Sequence, residues 1–187
     1  VPEFKLHLEL RGDTEIVLHR QFRAPQATVF NCFTDPDILP QWLGCGMGKT
    51  ILCVADYEIG GVWRHQMDMG EYGLFDSFGQ ILEFEVPHRL VRSYIYNVPV
   101  IREAVSTETA TFTESDGITT VEIVIRHLTK ENRDGHAASG IEYGAGKSYD
   151  ALEEYLHRAK TLVDLGGPSF GPPPPEPLPP GIQVRSY

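Results

Sequence analysis

From about residue 50 to 127 the chain alternates apolar and polar residues with period two, broken at Gly60-Gly61, Gly70, Gly73, Pro87, Pro99 and Asp116-Gly117. Successive side chains on a strand point to opposite faces, so this alternation, cut by residues that favour turns, predicts an antiparallel meander with one buried face. Its clearest hairpin is "SDGIT", between "ETATFT" and "TVEIVIRH". There Asp-Gly supplies the positive φ of a tight turn. Ahead of the meander, residues 14–23 ("TEIVLHRQFR") put Ile16, Leu18, Arg20 and Phe22 on one face and read as a further strand.

Around these strands the period is helical. After Ala24-Pro25, the positions of Val29, Phe30 and Phe33 predict a first short helix, and "TDPD" predicts the cap of a second that carries Ile38, Leu39, Trp42 and Leu43. Residues 128–139 read as a polar loop. From 140 to 165, Ile141, Ala145, Tyr149, Leu152, Leu156, Ala159 and Val163 recur at alternating steps of four and three, the stripe of one long amphipathic helix that Gly166-Gly167-Pro168 stops. Residues 1–165 therefore read as one domain and 166–187 as a proline-rich tail. The run "PPPPEPLPP" suits extended polyproline II and contact with an SH3-like partner, and the end "IQVRS" suits strand addition to a sheet edge, such as that of a second subunit in a homodimer.

The start of the long helix, "GIEYGAGKS" (140–148), resembles a phosphate-binding loop but fails its spacing. Such a loop needs a glycine five residues before Gly146, where Ile141 stands, and a buried strand leading into it. Sixteen Lys and Arg against twenty-six Asp and Glu give a formal net charge of −10, which repels nucleic acid and anionic lipid. No apolar run approaches the roughly 18 residues of a membrane span. Cys32, Cys45 and Cys53, an odd number without paired zinc spacing, fit reduced thiols in the cytoplasm.

Five stretches carry a family resemblance: "RQFRAPQATVFNCFTDPDILPQWLG" (20–44), "GGVWRHQM" (60–67), "GQILEFEVPHRLV" (79–91), "ATFTESDGITTVEI" (110–123) and "GIEYGAGKSYDALEEYL" (140–156). In order and spacing they resemble the AHSA-like branch of the SRPBCC superfamily, named for an activator of a heat-shock-protein ATPase and related to START-type lipid carriers and polyketide cyclases. The resemblance spans about residues 14–160. It implies an α+β helix-grip fold: a curved antiparallel β-sheet wrapped around a long C-terminal α-helix, with two short helices after the first strand, enclosing a cavity. A small hydrophobic molecule is the expected partner, and no cofactor is implied. Members include carriers, cyclases, resistance proteins and chaperone regulators without a shared catalytic set, so the function rests on residues that break the inward apolar pattern.

On the strand 62–69, Trp63, His65, Met67 and Met69 form the buried set, so His65 brings a titratable imidazole among apolar neighbours. On 90–98 the inward face holds Leu90, Arg92, Tyr94, Tyr96 and Val98; Arg92 is expected at the rim, because an unpaired buried guanidinium is very costly. On the next strand Ala104, Ser106, Glu108, Ala110 and Phe112 face inward. Desolvation there suits Glu108 to acid–base work, while a nearby Arg92 or His65 would hold it ionised. His127 ends its strand near the expected cavity mouth. Where the family resembles Gly-Trp, this chain has Gly144-Ala145, so a missing indole leaves space beside the helix. The expected ligand-binding residues are Trp63, Met67, Tyr94, Tyr96, Phe112, Ala145 and Tyr149 in the wall, Arg92 at the rim, and Tyr143 with Tyr149 at the entrance. If the protein is an enzyme, the expected chemistry is a cofactor-free and metal-free cyclisation, dehydration or isomerisation in which His65 and Glu108 exchange a proton with the substrate. The alternatives are a carrier or resistance protein without chemistry, and a chaperone ATPase regulator.

Overall fold

The period-two alternation folds into one antiparallel sheet, seen in a computed structural model that describes residues 4–97 and 105–164. Its strands are β1 (His7–Arg11), β2 (Glu15–Phe22), β3 (Lys49–Ala55), β4 (Val62–Asp68), β5 (Leu74–Glu85), β6 (Arg89–Asn97), β7 (Val105–Ser115) and β8 (Ile118–His127). They lie in the order β1-β2-β8-β7-β6-β5-β4-β3. Helix α1 (Gln26–Thr34) follows β2, and α2 (Lys130–Ala138) and α3 (Ile141–Asp164) follow β8. This is the expected α+β helix-grip arrangement.

Two local features shape the sheet. The register slips between Ile81 and Glu83, a bulge of the kind that bends a strand. Close by, a Cβ on Gly79 would sit 1.9 Å from the Ser93 carbonyl oxygen, so only glycine lets β5 and β6 approach this closely. The expected hairpin closes between β7 and β8 with Asp116 at φ 54° and Gly117 at φ 74°, the left-handed pair that its two-residue turn needs.

The core joins the inward face of β2, β7 and β8 to α1 and α3. Phe33 of α1 packs at right angles on Phe112 (5.2 Å between ring centroids) and tilts against Tyr149 of α3 (6.0 Å). Trp42 is buried, and its indole N–H donates to the Cys32 carbonyl at 2.9 Å, tying the segment after α1 to the helix.

Three expectations are corrected. The second short helix is only a three-residue 3-10 turn, Leu39–Gln41, with positive-φ Gly44 and Gly46 soon after it. Strand β1 lies ahead of the expected first strand; its "HLELR" alternates polar and apolar residues, and four of the five are exposed. Residues 128–139 are not a loop: α2 occupies most of them, capped by Thr129, whose hydroxyl accepts from the Asn132 N–H at 3.2 Å. Its buried side chains are Arg133 and His136, so it shows no apolar stripe. The proline-rich tail, with its expected strand addition, lies outside the described residues, as do Val98 and Ala104.

Candidate functional site

The inward faces of β3–β8, the segment 42–47 and the first turns of α3 enclose a cavity of about 770 Å³. Glycine geometry holds its near wall. Gly44 has φ 75°, and a Cβ there would fall 2.0 Å from the Met67 sulfur, so the chain can lie directly against the β4 side chain. The Gly44 N–H donates to Ser148 Oγ at 3.0 Å, and that hydroxyl donates to the Gly144 carbonyl at 2.9 Å. One serine therefore fastens the segment to α3.

The opening glycines of the long helix act structurally. Gly140, at φ 90°, makes the left-handed turn between α2 and α3. Gly144 leaves its open side to the Met47 thioether, 3.5 Å from where a Cβ would be. Met47 thus covers the side of α3 that Gly144 leaves open, while Ala145, where the indole is absent, lines the cavity.

Arg92 and Glu108 are cross-strand partners on β6 and β7. Nε of Arg92 donates to Glu108 Oε1 at 2.7 Å, Nη2 lies 2.6 Å from the same oxygen, and the side chains are 17% and 11% exposed. The guanidinium sits 4.1 Å from the centroid of the Trp63 ring. Arg92 is therefore not a rim charge. The carboxylate that faces it, sixteen residues along the chain, offsets the cost of bringing it inside.

His65, on β4, is buried beside Thr50, with Nε2 3.3 Å from Oγ1. Burial, aided by the Arg92 charge, pushes its imidazole down to about 4, so it stays neutral at ordinary pH. His65 and Glu108, each expected to exchange a proton with a substrate, are hydrogen-bonded to Thr50 and Arg92 respectively. Burial also raises the phenols of Tyr94, Tyr96 and Tyr149, which line the cavity as neutral hydroxyls.

Trp63 and Met67 line the cavity as expected, and Tyr143, 67% exposed, lines its outer part. Phe112 does not. It shares the inward face of β7 with Glu108 but lies farther along the strand, packed between Phe30 (5.1 Å) and Phe33 in the core. His127 is buried behind the wall, with Nε2 3.1 Å from Nδ1 of His136. His136, which sequence reasoning missed, lines the cavity and packs on Tyr96 with ring centroids 4.7 Å apart. Burial and then His127 push its imidazole down to about 4. The one signal for it was its place in the last turn before "AASG", a helix stop.

Sheet, gripped helix and cavity together define a helix-grip protein. A family model described as "Activator of Hsp90 ATPase homolog 1-like protein" matches residues 23–157, and the chain belongs to that family. Similar solved structures include a Rhodobacter sphaeroides protein (TM-score 0.74, 24% identity, 82% of this chain and 99% of that one). Others are from Mycobacterium smegmatis (0.72, 21%, 80% and 95%) and Nitrosomonas europaea (0.71, 24%, 81% and 99%). At these identities they share the fold. No curated protein matches the chain.

Proposed function

We propose that this protein binds a small, flat aromatic or polycyclic molecule in the cavity between the sheet and α3. The observation that carries the reading is the cavity of about 770 Å³, large enough for several fused rings and walled by Trp63, Met67, Phe75, Tyr94 and Ile125 around one ion pair. Apolar walls supply most of the affinity for such a ligand, and a few placed polar groups fix its orientation. Tyr143, Ala145 and Tyr149 border it on the helix side, and Tyr96 with His136 at the α2 end. With three free cysteines, the protein suits a reducing cytoplasm.

Proton-transfer catalysis is the second reading, favoured by one observation: His65 places a neutral imidazole, with Nε2 beside the Thr50 hydroxyl, in the cavity wall. A cyclisation, dehydration or isomerisation would need no more than this base and a phenol or the ion pair to polarise a carbonyl. A chaperone regulator would act through its surface and would not need the cavity. Among the described residues no helix is long and apolar enough to cross a membrane.

Native mass spectrometry with polycyclic phenols and quinones tests the proposal through the mass of what is later released. A one-to-one complex that releases its ligand unchanged supports binding. Release of an isomer, or of a product lighter by one water, supports catalysis and makes His65 the first residue to replace. No complex with any compound contradicts both readings.

A further inference from the structure

We infer that the ligand presents a neutral hydroxyl group, of the phenol type, to the Arg92–Glu108 pair; this rests on the cavity-binding reading above. The warrant is what the pair leaves unused. Arg92 directs both Nε and Nη2 at one oxygen, Glu108 Oε1, at 2.7 and 2.6 Å. Among the described residues, no hydrogen bond engages Arg92 Nη1 or Glu108 Oε2, and both side chains line the cavity. The two charges thus offer a ligand one open donor edge and one open acceptor within the same ion pair.

A hydroxyl matches this pattern because its oxygen accepts while its hydrogen is donated. Donated to Oε2, the hydrogen of an aryl hydroxyl satisfies the carboxylate without adding a charge beside the pair. A carboxylate would satisfy the guanidinium but bring a second negative charge to Oε2, and an ammonium would do the reverse. An ether or an isolated carbonyl would accept from the guanidinium and leave Oε2 without a donor, which is costly for a carboxylate only 11% exposed. The walls agree with a ring behind the hydroxyl. Trp63 covers the guanidinium at 4.1 Å, and Tyr94 lies 5.5 Å from it on the same strand, so the ligand's polar end is framed by aromatic faces.

Equilibrium dialysis at neutral pH with 2-naphthol, 2-methoxynaphthalene and 2-naphthoate tests the inference on the full chain. The expected result is that 2-naphthol binds about tenfold or more tightly than either of the others, the discrimination of a site built to bond a hydroxyl. Glu108→Gln can keep its carbonyl on Arg92 and put an NH2 group where Oε2 was, so the preference for 2-naphthol over its methyl ether should vanish. The double variant Arg92→Met with Glu108→Leu removes both charges and should still bind the ether, which controls for folding. Equal or tighter binding of the ether or the naphthoate to the unaltered protein overturns this inference alone. Failure of all three probes to bind overturns the cavity reading, and this inference with it.

Discussion

Arg92 and Glu108 face each other across β6 and β7, 2.7 Å apart, and the Arg92 guanidinium lies 4.1 Å from the centroid of the Trp63 ring. Removing one charge therefore differs sharply from removing both. Glu108→Ala leaves a guanidinium inside the cavity without its partner and should destabilise the fold by about 3–5 kcal/mol. Arg92→Met with Glu108→Leu should leave stability near or above that of the unaltered protein. Urea unfolding of the two variants, compared by midpoint at equal slope, checks this.

His65 and His136 make stability depend on pH. Each has a folded-state value of about 4, below the 6.5 of a free imidazole, so between those values the unfolded chain binds the extra proton. Their contribution is complete above about pH 6.5 and is lost as pH falls towards 4, on the order of 3 kcal/mol for each imidazole. His65→Phe should flatten that part of the curve by roughly one imidazole's share. Chemical unfolding at several pH values from 7 to 4 measures the difference.

Gly79 tests the close approach of β5 and β6. Gly79→Ala drives a Cβ to within 1.9 Å of a backbone carbonyl, which cannot swing away as a side chain would. A loss of at least about 2 kcal/mol is expected. Gly12→Ala serves as the comparison: it has positive φ but open space around it, so its cost should stay near about 1 kcal/mol. Thermal unfolding of both variants gives the ranking.

Ala145→Trp refills the space left beside α3. The indole should take ligand volume, while the fold, which has the cavity beside Ala145, is retained. Binding of a tricyclic quinone, measured by dialysis, should weaken by about tenfold or more. Unchanged affinity would move the ligand away from the α3 side of the cavity.

The face of each strand was legible wherever the alternation was clean. Trp63, His65 and Met67 fall inside together because their neighbours Val62, Arg64 and Asp68 face out, and Glu108 follows from the same count along β7. Alternation gives the face but not the depth along the strand, so Phe112 was assigned to the cavity although it belongs to the core beside α1. Arg92 was misplaced for a different reason: its partner is sixteen residues away, and cross-strand register cannot be read from one sequence. Helix α2 escaped because its buried side chains are Arg133 and His136, which any hydrophobic pattern scores as exposed. With it went His136, and so the α2 end of the cavity.

Both tryptophans of the chain, Trp42 and Trp63, line the cavity, so their fluorescence reports its occupancy directly. Titration with 9,10-anthraquinone is the most direct measurement of the central claim. Binding in the cavity predicts saturable quenching of both tryptophans at a stoichiometry of one, confirmed by persistence of the effect in Trp42→Phe and in Trp63→Phe. Linear, unsaturated quenching, equal to that of free tryptophan in solution, would contradict it.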